Sequence, residues 1–233
     1  LSNFVVPAAP TVSLPVVGSD ARFPVRRVYC VGRNYAAHAQ EMGFSGREPP
    51  FFFLKPADAV VPAPAGKAIE IDYPPLTKDL HHEIELVVAI GEGGKQIAAA
   101  DAMRHVFGYA VGLDMTRRDL QADMKKQGRP WCIGKAFDQS APIGAITPAK
   151  DAGDIAHARI ALQVNGETRQ QSDLSQLIWS IGEIVEHLSN AWTLAPGDLI
   201  MTGTPEGVAA VVPGDRLVGS IEGLPSIEVR IRG

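Results

Sequence analysis

Cysteine is scarce in this chain of 233 residues, with only Cys30 and Cys132 present. Two thiols so far apart give neither a disulfide framework nor a CxxC metal clip. Both have apolar neighbours, so buried thiols in a reducing, cytoplasmic setting are the expectation. Long apolar runs are also missing. No stretch of about 18 residues is both apolar and uncharged, so no helical membrane span is expected. The first segment, Leu1 to Val17, is apolar but is interrupted by Pro7, Pro10 and Pro15, and it lacks the basic start of a secretion signal. Positive charge is not in excess: 22 Lys and Arg stand against 26 Asp and Glu, a net charge of −4. That balance argues against a nucleic-acid binder, which needs a basic stripe to neutralise phosphates. The basic residues from Arg117 to Arg129 alternate with Asp119 and Asp123 and read as one polar helix face. There is no GxSxG, no Walker loop and no convincing GxGxxG, so a serine nucleophile and a nucleotide cradle are both unsupported.

The composition is that of an ordinary globular protein, with 45% hydrophobic and 21% charged residues. The length suits one large domain. We expect an extended, proline-punctuated segment over 1–24 and a single body over 25–233. The 23 glycines and 18 prolines are spread throughout, which points to many turns and short strands. Strands are expected at Val28–Val31, Phe51–Leu54, Glu83–Ile90 and Val106–Leu113, and a loop-rich stretch over 62–75. Asn165-Gly166, between Ile160–Val164 and Glu167–Gln171, signals a hairpin. Helices are expected over 34–42, over 115–127 with Thr116 and Asp119 as a capping box, and over 174–191. Many short strands with few helices favour an α+β, mainly β core over a βαβ repeat.

Four groups of residues could carry chemistry. On a strand, Glu83 and Glu85 share one face, while Ile84, Leu86 and Val88 share the other. Two adjacent carboxylates repel each other and resist burial, and a divalent cation between them would remove both problems. An edge strand with a solvated acidic face is the competing reading. His81 and His82 precede the pair and could support it, a structural role being the plainer one. Asp114 closes an apolar strand, either as a third ligand or as a carboxylate favoured by a helix dipole. Three oxygen ligands without sulfur suit a hard ion: Mg²⁺ or Mn²⁺, with Ca²⁺ as a further candidate. Arg118, Gln121 and Lys125 share a helix face, from which Arg118 and Gln121 could bond a carboxylate or an oxyanion. Lys135 is a lone cation in an apolar, glycine-containing segment, aimed either at a site or at water. His38 and Glu41 can touch across one helical turn, and such a pair could activate a water.

Seven segments, in order from residue 29 to residue 208, together resemble the fumarylacetoacetate hydrolase family. They are YCVGRNYAAHAQEMG (29–43), FFFLKP (51–56), HHEIELVVAIG (81–91), GYAVGLDMTRRDLQ (108–121), GRPWCIGKAFD (128–138), QVNGETRQ (163–170) and GDLIMTGTPEGV (197–208). The resemblance implies a mixed β-roll or sandwich core with a few helices, and a homodimer. It implies metal ligands at Glu83, Glu85 and Asp114, a catalytic His38–Glu41 pair, and Lys135, Arg118 and Gln121 around a reacting carbonyl and a pyruvoyl end. Lys55 and Thr204 match segments that line the site. The implied reaction is metal-dependent hydrolysis of a carbon–carbon bond in a 2,4-dioxo acid, fumarylpyruvate foremost, in the setting of gentisate breakdown. A decarboxylase of oxaloacetate, an isomerase or hydratase of related 2-oxo acids, and a catalytically silent anion-binding module are the alternatives.

Overall fold

The structure, a computed structural model, describes residues 4–35 and 47–233. Its centre is a mixed sheet in the order Phe51–Lys55, Arg27–Gly32, Asp198–Met201, Ile84–Ile90, Val106–Leu113, Ala141–Gly144, Val60–Ala63, with Thr147–Pro148 joined to Val106–Leu113. The pairs Asp198–Met201 with Arg27–Gly32, and Ala141–Gly144 with Val60–Ala63, are parallel; the others are antiparallel. A second sheet of five strands runs Glu167–Asp173, Arg159–Val164, Arg216–Ile221, Ile227–Arg232, Ala68–Asp72. A small three-stranded sheet joins Thr116–Arg117, Leu80–His82 and Ala209–Val211. The fold is mainly β with few helices, as the sequence pattern implies.

The strand Ile84–Ile90 is buried along its whole length. Ile84, Leu86, Val88 and Ile90 enter the larger apolar cluster, shared with the second sheet through Ile160, Leu217 and Val229. Val87 and Ala89 enter a smaller cluster on the opposite face, with Val28, Cys30, Leu199 and Met201. Leu14 and Phe23 complete that second cluster. They come from an antiparallel hairpin, Ser13–Val16 with Ser19–Pro24, so this part of the expected extended segment is folded back on itself. The apolar run of Ile84–Ile90 therefore reflects burial on two faces. An edge position is ruled out. No helix among the described residues is long and apolar enough to cross a membrane.

Several local expectations are corrected. Residues 62–75 contribute to two strands, Val60–Ala63 and Ala68–Asp72. The helix placed over 115–127 begins later, at Arg118–Lys126, without the capping box. Thr116 instead pairs with His81 in the small sheet, and the Asp119 carboxylate accepts from Thr77 Oγ1 and Lys78 N–H. Cys30 is buried but Cys132 is exposed. The helix expected over 174–191 is confined to Ile181–Ala191, after a short 3₁₀ turn at Leu174–Gln176. The hairpin at Asn165-Gly166 forms as expected, both residues taking positive φ. Of the helix expected over 34–42, residues 36–42 lie outside the described residues.

The late start of Ile181–Ala191 has two causes. Ser180 and Glu183 form a capping box, which fixes the first turn. Ahead of it, Asn34 holds the chain out of the helix: its Oδ1 accepts from Trp179 N–H at 2.7 Å, and its Nδ2 donates to Trp179 O at 3.0 Å and Thr202 O at 2.8 Å. Asn34 is fully buried, so truncating it strands backbone groups away from water. Asn34→Ala should lower unfolding stability by about 2–4 kcal/mol, read by urea denaturation. A loss below about 0.5 kcal/mol would show that these bonds are replaced by water.

Candidate active site

Strand register brings the acidic residues together. Ile84 pairs with Leu113, so Asp114 arrives opposite Glu83, and the Asp114 N–H donates to Glu83 O at 2.8 Å. Glu85 lies opposite Gly112. Carboxylate oxygens of Glu83, Glu85 and Asp114 all fall within 4.8 Å of one another. All three residues are buried, with exposures of 6%, 2% and 0%. The alternative of a helix-dipole carboxylate fails for Asp114, because the helix begins four residues later.

Basic side chains converge on the same point. Lys135 Nζ donates to Glu83 Oε2 at 2.8 Å, Asp114 Oδ2 at 2.7 Å and Thr116 Oγ1 at 2.7 Å. Lys55 Nζ stands 2.8 Å from Asp114 Oδ1 and donates to the Met115 and Lys135 carbonyls. Arg118 reaches Glu83 Oε1 and Gln121 Oε1, each at 2.5 Å. Lys125, on the same face further along the helix, is exposed and lies outside the cleft lining. Glu85 differs from its neighbours. It accepts the Gly203 N–H at 2.7 Å and forms no ion pair among the described residues. Burial lifts its carboxyl well above the usual range, and the charges of Asp114 and Glu83 add to the lift. Burial alone would lower the Lys135 ammonium, but Asp114 and Glu83 outweigh that and hold it above the ordinary lysine value.

Glu83, Glu85, Asp114, Arg118, Gln121 and Lys135 line a cleft together with Val31, Arg33, Phe51, Phe53, Trp131 and Thr204, while Lys55 lies behind Asp114. Thr204 Oγ1 donates to Ile84 O at 2.8 Å, fastening the loop after Asp198–Met201 to the acidic strand. Beyond Arg33, Phe51, Phe53, Trp131 and Lys135 the cleft continues into a hollow also lined by Phe52, Leu54 and Trp192. His38 and Glu41 lie outside the described residues. His81 bonds Asp79 and meets Arg118, and His82 is buried.

Gln170 was missed by sequence reasoning, as were Arg33, Phe51, Phe53 and Trp131 of the cleft lining. Gln170, in the second sheet, accepts from Ile84 N–H at 3.1 Å and meets His82 Nδ1 at 2.9 Å. Its Nε2 donates to Thr204 Oγ1 and Pro205 O, each at 2.8 Å. It thereby ties the backbone around Glu83 to the loop that bonds Glu85. A buried glutamine among exposed polar neighbours on a hairpin strand has no local signature.

A site of three buried carboxylates, one of them without an ion pair among the described residues, fits a divalent ion better than it fits water. The all-oxygen donor set selects a hard ion. The chemistry such a cluster supports is the handling of oxyanion-rich small molecules.

Comparison with known proteins identifies the class. The family model described as fumarylacetoacetate (FAA) hydrolase C-terminal matches residues 27–232, and the chain belongs to that family. It is similar to the crystal structure of fumarylpyruvate hydrolase from Pseudomonas aeruginosa in complex with Mn²⁺ and pyruvate: 61% identity, TM-score 0.97, 99% of each chain covered. It is also similar to the oxaloacetate tautomerase FAHD1, mitochondrial, of Homo sapiens, 42% identical over 206 residues, 88% of this chain and 91% of that protein. A 5-carboxymethyl-2-hydroxymuconate delta-isomerase from Mycobacterium smegmatis is 36% identical with a TM-score of 0.77, covering 91% of this chain and 80% of that one.

Metal binding should be visible in stability. With free Mn²⁺ at 100 times its dissociation constant, the folded state gains about 2.7 kcal/mol. That corresponds to a rise in Tm of roughly 5–10 °C for a chain of this size. Glu85→Gln, which keeps the shape but removes the unpaired charge, should abolish most of that rise in differential scanning fluorimetry. An equal rise in both proteins would place the ion elsewhere.

Proposed function

We propose that this protein is a divalent-metal-dependent acylpyruvate hydrolase that cleaves fumarylpyruvate to fumarate and pyruvate. The observation that carries the reading is the buried Glu83–Glu85–Asp114 cluster at the floor of a cleft, in a chain 61% identical to a fumarylpyruvate hydrolase that binds Mn²⁺ and pyruvate. Glu83, Glu85 and Asp114 would hold Mg²⁺ or Mn²⁺. When bound, the ion supplies Lewis acidity to the oxygens of a 2-oxo acid and to the negative charge left on them as the carbon–carbon bond breaks.

The protein's own groups divide the remaining work. Arg118 and Gln121, already bonded to one another, offer donors to the 2-oxo acid end. Lys135 donates beside the reacting carbonyl, where negative charge develops on oxygen. Lys55, buried behind Asp114, keeps that carboxylate aimed into the cleft. Thr204 holds the loop edge against Ile84. His38 and Glu41 take a proton from water, and the hydroxide adds to the 4-oxo carbon. The bond between that carbon and C3 then breaks, leaving a carboxylic acid and the enolate of pyruvate. A proton delivered to C3, by His38 in this scheme, completes pyruvate, so one water is consumed for one bond broken. The reading includes a homodimer as the working form.

A second reading is favoured by the 42% identity to an oxaloacetate tautomerase. Enolisation of a 2-oxo acid needs the same ion and the same cations but no attacking water. The aromatic continuation of the cleft weighs toward the hydrolase, because oxaloacetate has no acyl chain to place there.

The decisive measurement compares kcat/KM for fumarylpyruvate, acetylpyruvate and oxaloacetate with Mg²⁺ or Mn²⁺ present. Fumarylpyruvate should lead by at least about tenfold, a difference of about 1.4 kcal/mol in transition-state binding, and EDTA should remove turnover. Oxaloacetate leading, or full activity after chelation, would overturn the assignment. His38→Ala and Glu41→Ala should each lower kcat by about 10²–10⁴-fold, the range of general acid–base groups. An unchanged kcat in either variant would remove that residue from the mechanism.

A further inference from the structure

The strand Arg27–Gly32 ends in a corner formed by Gly32, Arg33 and Asn34, and both flanks of Arg33 are fixed. A Cβ on Gly32 would run into the Phe51 ring, so the glycine is what lets that ring pack there. Asn34 is pinned by its three bonds to Trp179 and Thr202. Between them Arg33 adopts a φ of +59°. Long side chains disfavour this region, and such a residue persists where its surroundings over-determine it, often at a functional site. Glycine or asparagine would meet the backbone requirement at lower cost. Backbone geometry alone therefore does not account for an arginine here.

The side chain is placed where a ligand would meet it. The guanidinium carbon lies 4.8 Å from the Phe51 ring centroid. Arg33 lines both the carboxylate cleft and the aromatic hollow beyond it. It belongs to a different wall from Arg118. Arg118 bonds Glu83, whereas the Arg33 corner adjoins Gly203, whose N–H bonds Glu85. A Cβ on Gly203 would come within 2.7 Å of Asn34 Cβ, which shows how closely the two segments approach. Phe51 and Trp131 meet edge to face with centroids 5.2 Å apart and give this wall an aromatic floor.

We infer that Arg33 is a specificity-determining residue for the far end of the substrate, where it receives a second carboxylate carried by the acyl group. Phe51, Phe53 and Trp131 flank the planar carbon chain between the two ends. The inference rests on the acylpyruvate reading and narrows it to acylpyruvates whose acyl group itself ends in a carboxylate. Arginine suits the task, since its planar fork pairs with a carboxylate through two parallel hydrogen bonds and stacks on an aromatic face. Resting on Phe51 fixes the plane of the fork before the ligand arrives, which lowers the entropy cost of pairing.

Two measurements test this, with Arg33→Met keeping an apolar stem over Phe51 and Arg33→Lys keeping the charge without the fork. In the first, kcat/KM is compared for fumarylpyruvate and for acetylpyruvate, which lacks the distal carboxylate. Arg33→Met should lower the fumarylpyruvate value about 10²-fold more than the acetylpyruvate value, mainly through KM, with Arg33→Lys between. Equal losses on both substrates, or none, overturn the inference. In the second, fumarate and its single-carboxylate analogue crotonate are titrated calorimetrically into Mn²⁺-loaded protein saturated with pyruvate. The wild-type protein should bind fumarate at least about tenfold more tightly, and Arg33→Met should erase the difference. A preference that survives the substitution, or one that never exists, counts against Arg33. A wild-type protein that prefers fumarate in the titration but hydrolyses neither acylpyruvate would keep the Arg33 site and discard the hydrolase.

Discussion

Three carboxylates buried within 4.8 Å of one another are the constraint around which this molecule is organised. Like charges at that separation cannot all stay ionised away from water without partners. Lys135 meets two of them, Arg118 bonds one, and Lys55 supports Asp114 from behind. What these cations leave over is concentrated on Glu85, whose only partner among the described residues is a backbone N–H. The upward push on its carboxyl is the electrostatic mark of that remainder. Filling it with a divalent ion would turn a costly burial into a binding site.

The rest of the fold can be understood as the means of holding that arrangement still. Ile84–Ile90 is sandwiched on both faces, so the side chains at its start cannot swing out to water. Its antiparallel partner delivers Asp114 by register alone. The second sheet contributes Gln170, which bonds the acidic strand and the loop after Asp198–Met201 at once. Asn34 links that same region, through Thr202, to the start of the helix Ile181–Ala191. Each tie joins segments distant in the chain, which is how a site gains rigidity that no single element could supply.

Whether a feature was legible in the sequence follows from how local its cause is. The strands around Glu83 and Asp114, and the turn at Asn165-Gly166, are set by short-range pattern and are readable as such. The spacing of Glu83 and Glu85 reveals a shared face but not whether that face is wet. Deciding it required knowing that the strand lies in the middle of a sheet, which is a property of partners from residues 106–113 and 198–201. The periodicity of Leu177 through Leu188 suggests one long helix, yet Asn34, remote in sequence, takes the Trp179 N–H and shortens it. Ser180 and Glu183 do carry capping-box letters, but the longer apolar pattern that begins before them masks that start signal. Gln170 was illegible for the same reason: each of its bonds is long-range.

Charge balance connects the site to the kind of molecule it takes. Among the described residues the three carboxylates face Lys55, Arg118 and Lys135, and Arg33 lines the same cleft, so a bound divalent ion would leave positive charge in excess there. A 2-oxo acid brings one carboxylate to that surplus, and a second carboxylate in the same molecule would offset more of it. Oxaloacetate and fumarylpyruvate both meet that condition, which is a physical reason for one architecture to serve tautomerase and hydrolase relatives alike. The acidic cluster cannot tell them apart, because both present it with the same 2-oxo acid head. They differ in how far the second carboxylate lies from the first. On the proposed reading, selection comes from the wall that the longer molecule would reach, where the aromatic hollow opens and Arg33 is fixed in a costly backbone conformation.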